Sequence, residues 1–136
     1  MDKLVRPSQS ESDAGRLRIL VVEDHQNSAE VISLYLSMNG HVVRVACSAE
    51  KGYELACQSE FDLIISDVGL PDASGIELIR RIRRTRSTPA IAISGFRNDE
   101  SVNTTAAGFE AHFVKPVDFE ALCAEIARIV GRHRAR

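Results

Sequence analysis

From residue 17 onward the chain alternates two kinds of apolar pattern. Short β-branched runs occur at 18–23 (RILVVE), 42–46 (VVRVA), 62–66 (DLIIS), 90–94 (AIAIS) and 112–114 (HFV). They are continuous rather than strictly alternating, which is how strands covered on both faces read. Between them apolar residues recur at helical spacing. Val31, Ile32, Tyr35, Leu36 and Met38 form one stripe, with Ser28 placed to cap it and Gly40 just beyond its end. Ser48 opens a second helix through Tyr53, Leu55 and Ala56, and a third runs from about Gly75 through Ile76, Ile79 and Ile82. A weaker helical pattern lies near 98–107, before Gly108. The last helix runs from Asp118 to Val130, with Phe119, Leu122, Ile126, Ile129 and Val130 on one stripe and Gly131 closing it.

Five strands alternating with five helices predict an α/β fold of βαβ units, a parallel sheet with right-handed crossovers and helices on both faces. In such sheets the active crevice lies beyond the carboxyl ends of the strands. The residues there are Glu23 and Asp24 after the first strand, Asp67 after the third, Ser94 at the end of the fourth, and Lys115-Pro116 after the fifth.

Three carboxylates converging on one crevice repel. Two unit charges ~4 Å apart do so by about 4 kcal/mol at an effective dielectric of ~20. Two things can compensate. Oxygen donors suit Mg²⁺, which keeps several waters and favours phosphate as a co-ligand, and Lys115 brings an ammonium on a long stem. With a phosphoryl group on Asp67, Mg²⁺ would meet one of its oxygens, Lys115 a second and the Ser94 hydroxyl a third, stabilising the charge that spreads in phosphoryl transfer. Gly95 leaves room for a bulky donor, and Gly69 can offer its backbone carbonyl to the metal.

Composition narrows the setting. At 136 residues the chain holds one domain, large enough to fold on its core without metal or disulfides. A net charge of −2 gives no electrostatic reason to expect nucleic acid or a membrane surface as partner. Cys47, Cys57 and Cys123 are odd in number, lack CxxC spacing and read as buried small hydrophobes in a reducing compartment. No apolar run reaches the ~18 residues of a membrane span, and residues 1–15 lack a signal peptide's apolar stretch. The expected location is cytoplasmic. Residues 1–16 are polar and read as a disordered tail, 17–131 as the domain and 132–136 as a basic tail. With so little chain after the last helix, no output domain is expected here, and the chain reads as a stand-alone regulator or as a receiver from a hybrid sensor kinase.

The E-D pair at strand one, D-V-G-L-P-D-A-S-G at strand three, S-G at strand four and K-P at strand five together resemble the receiver domain of two-component response regulators. The resemblance covers about residues 17–131. It implies a flavodoxin-like, doubly wound five-stranded sheet in the order 2-1-3-4-5. It further implies that Asp67 is the phosphoacceptor, that Asp24 binds Mg²⁺ directly and Glu23 through water, and that Gly69 adds its carbonyl. Ser94 becomes the hydroxyl switch, Lys115 the phosphoryl partner, and Lys115–Pro116 a cis peptide. The implied partners are a histidine kinase or histidine phosphotransfer protein and a downstream protein on the face formed by helix four, strand five and helix five. Such a domain is a stoichiometric phosphoacceptor rather than an enzyme. One departure concerns position 112, often Tyr or Phe in the family and drawn inward when the switch hydroxyl moves. Here it is His112, whose imidazole ring can fill the vacated space but is ionisable where those rings are apolar or phenolic.

Other readings fit less well. A receiver-like module that binds partners without phosphorylation would not need the full acceptor set. A haloacid dehalogenase-type phosphatase needs a second Asp two residues after the first, where this chain has Gly69. A flavin site would need a Ser/Thr/Gly-rich loop after strand one, where this chain has EDHQNS. Asp72 reads as a loop residue or helix cap. His25, His41 and His133 read as solvent-facing without metal-ligand spacing, and the arginines at 80, 81, 83, 84 and 86 as the solvated face of a helix.

Overall fold

The computed structural model describes residues 16–95 and 105–134, to which the structural statements below refer. Five strands form one parallel sheet: β1 (Arg18–Val22), β2 (Val42–Ala46), β3 (Leu63–Asp67), β4 (Ala90–Ser94) and β5 (Ala111–Val114), in the order β2-β1-β3-β4-β5. The connecting helices are α1 (Gln26–Met38), α2 (Ala49–Gln58), α3 (Gly75–Ile82), α4, of which residues 105–107 are described, and α5 (Phe119–Arg134). The rest of the helix expected near 98–107 lies outside the described residues, as do residues 1–15.

Alternation along the strands divides the core into two layers. Leu20, Val22, Ile64, Ala90 and Ala92 face α2 and α3, meeting Ala49, Ala56, Leu78, Ile79 and Ile82. Ile19, Val21, Leu63, Ile65, Ile91 and Ile93 face α1 and α5, meeting Ile32, Leu36, Leu122, Ile126 and Ile129. Burial of each of the larger side chains stabilises the fold by about 1.5–3 kcal/mol relative to exposure. The strands β1, β3 and β4 are therefore apolar on both faces. β2 is not: it is the sheet edge, and Val42 and Val45 are exposed.

The helix signals act locally as expected of their chemistry. Ser48 Oγ accepts the Lys51 N–H and Ser74 Oγ that of Glu77, while Asp118 Oδ1 accepts from Ala121. Gly40, past the end of α1, has φ +93°, a conformation costly for a residue with a Cβ. Two ends differ from expectation. α1 begins at Gln26 with His25 as its N-cap, three residues before Ser28. α5 passes through Gly131 to Arg134, because Arg132 and His133 both bond the Glu110 carboxylate and hold the last turn.

Register determines what emerges at the carboxyl ends. Val22 pairs with Ser66, Asp67 with Ile93, and Ser94 with Val114. One residue beyond Val22 and Val114 stand Glu23 and Lys115, so the acid pair, Asp67, Ser94 and Lys115 leave the sheet at one level.

Candidate functional site

Lys115 Nζ lies 2.8 Å from Glu23 Oε1 and 3.1 Å from Asp67 Oδ2, bridging two acids that are almost wholly buried (Glu23 2% exposed, Asp67 5%). The contact with Glu23 is electrostatic, since no donor is aligned for a hydrogen bond to Oε1. Asp67 Oδ1 accepts the Gly69 N–H at 3.0 Å. Burial is the largest influence on Asp67 and raises its pKa. The Gly69 N–H and Lys115 oppose that, the Glu23 charge adds to it, and the balance lies above the ordinary aspartate value. Burial acts to raise Glu23 as well, but the adjacent Lys115 ammonium and the His25 N–H leave it below its ordinary value. Burial acts to lower Lys115, yet its two acidic partners raise it overall. Of the two buried acids, Asp67 is thus the more ready to gain an electrophile or a proton, and Lys115 stays charged beside it.

Asp24 completes the acidic set. Its Oδ1 is shut off from water and receives no hydrogen bond among the described residues. One ligand atom from each of Glu23, Asp24, His25 and Asp67 lies within 4.8 Å of every other. Buried acceptors without donors are costly unless something positive meets them. Three carboxylates, two of them with an oxygen that no donor meets, are a fitting donor set for a divalent cation.

Ser94 is 2% exposed, and its Oγ lies 2.9 Å from His112 Nε2. The half-buried His112 ring, in β5, is therefore already turned towards the hydroxyl at the end of β4. The Lys115–Pro116 peptide is cis, as the resemblance implied. A Cβ on Gly69 or on Gly95 would meet nothing within 4 Å, so both positions border open space.

Two further residues position Asp67: Ser66, which the sequence reading left out, and Gly75, which entered it only as the end of the strand-three motif and the start of α3. Ser66, fully buried, donates through Oγ to the Asp67 carbonyl at 2.9 Å. Gly75 N donates to Val68 O at 2.8 Å, and a Cβ there would sit 2.2 Å from the Asp67 carbonyl oxygen. The eight-residue spacing from Asp67 to Gly75 thus has a physical reason: the loop returns α3 directly onto the acceptor's backbone, where only glycine fits. Asp72 caps a helix, but not its own. Its carboxylate accepts the Ala49 and Glu50 N–H groups at 2.9 and 3.0 Å, tying this loop to α2.

The histidines, cysteines and arginines need correction. His25 keeps an exposed ring but bonds Glu23 Oε2 through both its N–H (3.0 Å) and Nδ1 (3.1 Å). His41 accepts the Leu17 N–H, and His133 bonds Glu110, so neither simply faces solvent. Cys47 and Cys57 are exposed and Cys123 half-buried, all free. The core was already filled by the branched residues of the central strands, and Cys47 follows the edge strand. Among the arginines, Arg83 is half-buried and donates to Gly108 O, while Arg81 lies over the Tyr53 ring.

With this geometry established, comparison with known proteins is decisive. Residues 19–127 match the response regulator receiver domain family. The chain belongs to that family. It is 35% identical over 115 residues to the response regulator ArlR of Staphylococcus haemolyticus, covering 84% of this chain and 52% of that protein. ArlR of Staphylococcus aureus is 36% identical over 116 residues, 85% of this chain and 53% of that one. The chain spans about half the length of the curated relatives it matches. Among solved structures, the CheY-like receiver domain protein of Methanospirillum hungatei JF-1 superposes with a TM-score of 0.83 at 28% identity, over 87% of this chain and 96% of that one. The BeF3-activated DrrB receiver domain gives 0.76 at 31%, over 85% and 98%. The chain is therefore a two-component receiver domain with the flavodoxin-like order 2-1-3-4-5. Among the described residues, no helix is long and apolar enough to cross a membrane.

Proposed function

We propose that Asp67 accepts a phosphoryl group from a histidine kinase or a histidine phosphotransfer protein, and that the modified domain changes its contact with a downstream protein. The observation that carries this reading is the Asp67 carboxylate itself, buried at a strand end, raised in pKa and bridged to Glu23 by Lys115. A carboxylate oxygen of Asp67 forms a bond to phosphorus as the bond from phosphorus to the donor's imidazole nitrogen breaks. Lys115, freed from part of its bond to Asp67, then faces a phosphoryl oxygen. Asp24, Asp67 and the Gly69 carbonyl, with Glu23 through water, would hold Mg²⁺, which would supply charge neutralisation to the phosphoryl group. The domain acts once per phosphoryl group, as acceptor rather than enzyme, while assisting its own loading and unloading.

Coupling outward runs through Ser94 and His112. A hydroxyl drawn to the phosphoryl group gives up its 2.9 Å bond to His112 Nε2. That leaves the β5 ring to find a new partner or to follow the hydroxyl inward, and so alters the α4–β5–α5 face. The competing reading is a module that binds partners without phosphorylation. Beryllofluoride, a phosphoryl mimic that activates the DrrB relative, separates the two. With Mg²⁺ it should bind the unaltered domain and not Asp67→Asn. Failure to bind the unaltered domain would favour the interaction module.

A further inference from the structure

His25 directly follows the Glu23-Asp24 pair and belongs to no helical ligand motif, yet it stands among the acids. Its Nδ1 is 3.1 Å from Glu23 Oε2 and 3.5 Å from Asp24 Oδ1. It shares with Glu23, Asp24 and Asp67 the cluster whose ligand atoms all lie within 4.8 Å of one another. Donors on opposite sides of a small divalent ion are about 4.2 Å apart, at roughly 2.1 Å from the metal each, so the cluster needs only slight closure to share one ion. Asp24 Oδ1 points to a ligand there, being shut off from water without a hydrogen bond, and beside it Oε1 of the 2%-exposed Glu23 has no aligned donor, its one counter-charge being the Lys115 ammonium 2.8 Å away.

We propose that His25 is a nitrogen ligand of this site and gives it a preference for first-row transition-metal ions, Zn²⁺ above all, that an all-carboxylate site would lack. This rests on the reading of the acidic crevice as a divalent-cation site. Mg²⁺ takes oxygen donors and gains little from an imidazole, whereas Zn²⁺, Co²⁺ and Ni²⁺ favour one. Without metal, Nδ1 carries the proton that it donates to the Glu23 carboxylate. To ligate through Nδ1 the ring must hold its proton on Nε2 instead. The side chain is 68% exposed, so water can carry that exchange, and Glu23 passes from hydrogen-bond acceptor to co-ligand. Position and tether favour the role. His25 stands at the N-cap position of α1, and its backbone N–H is bonded to Glu23 Oε2 at 3.0 Å, which keeps the residue beside the acids. A receiver built this way would bind Zn²⁺ in competition with Mg²⁺, so that the abundance of a tighter-binding ion sets how readily the domain is loaded.

The test is equilibrium titration of the full chain with Mg²⁺ and with Zn²⁺, for the unaltered protein and for His25→Ala. All proteins carry Cys47→Ser and Cys57→Ser so that the exposed thiols do not bind zinc. Loss of a ligand should weaken Zn²⁺ at least about tenfold and leave Mg²⁺ within about twofold. Co²⁺ supplies a second readout: its visible absorption should shift and weaken in His25→Ala as the nitrogen donor is lost. Unchanged Zn²⁺ affinity, or equal weakening of both ions, would overturn the proposal, the latter because it would make His25 a support for the acids rather than a ligand. Absence of Mg²⁺ binding to the unaltered protein would instead refute the cation reading of the crevice, and this inference with it.

Discussion

At the amino ends of the strands, acids are matched by donors. Asp62 accepts the Arg18 N–H at 2.8 Å, and Glu110 is held by both Arg132 and His133, which lowers its pKa despite burial acting the other way. At the carboxyl ends, Glu23, Asp24 and Asp67 crowd together around Lys115, with oxygens left unsatisfied. Both poles belong to the same sheet and rest on the same two apolar layers, so packing does not explain the difference. Charges placed for stability find partners. Charges kept together against their repulsion, on a scaffold rigid enough to hold them, are poised for something that arrives from outside. The contrast locates the functional end of the molecule without reference to any relative.

The largest expected effect lies beneath the crevice. In Gly75→Ala the new methyl would meet the Asp67 carbonyl oxygen at 2.2 Å, and backbone must give way. Chemical denaturation should show a loss of about 3 kcal/mol, the upper end for overpacking. A loss below ~0.5 kcal/mol would mean that the loop yields freely and does not position the acceptor.

Neutralising one acid at each pole should give opposite signs. Glu110→Gln exchanges charged bonds for weaker ones and should lower stability by about 1 kcal/mol. Asp24→Asn relieves like-charge repulsion at a partly exposed site and should raise it by about 1 kcal/mol, while weakening Mg²⁺ binding. Changes of the same sign in denaturant midpoints would break the comparison between the poles.

Alkaline titration sharpens it further. The folded-state pKa of Lys115 is raised above its ordinary 10.5 by Glu23 and Asp67, although burial alone would lower it. Its contribution is therefore complete below 10.5 and lost as pH rises through the raised value. Stability curves for the unaltered protein and Lys115→Met should converge above that pH. Parallel curves would show that the ammonium is not held by the two acids.

The smallest effect is kinetic. Gly69 has an ordinary φ and open space around it, so Gly69→Asn is accommodated and gives the crevice a side chain able to hold a water. The acyl phosphate of that variant, followed by the decay of label, should be shorter-lived by several-fold. Adding Phe96→Glu, at a position outside the described residues, should shorten it more. An unchanged or longer lifetime would show that a water-holding side chain at position 69 does not govern unloading.

Most of this was legible in the chain because strand patterns and their terminal residues are local signals. Continuous apolar runs marked the three central strands, and the residue after each run named the crevice. What escaped depends on contacts across the fold. The edge position of β2 exposes Val42 and Val45, which its apolar run could not announce. Asp72 resembles a local cap, yet caps a helix 22 and 23 residues away in sequence. Gly131 has the look of a helix stop, but Glu110 reaches from the start of β5 to hold the turn beyond it. His25 has no helical ligand spacing to announce it, since its neighbours in the cluster are the two residues preceding it and Asp67, far away in sequence.

Whether Asp67 takes the phosphoryl group can be decided by one labelling measurement. The unaltered protein and Asp67→Asn are incubated with acetyl phosphate and Mg²⁺, and intact mass and acid-labile label are read together. The unaltered protein should gain one phosphoryl group, and the amide variant none, because its side chain cannot serve as the nucleophile. Persistent label on Asp67→Asn would place the acceptor elsewhere and contradict the reading of this crevice.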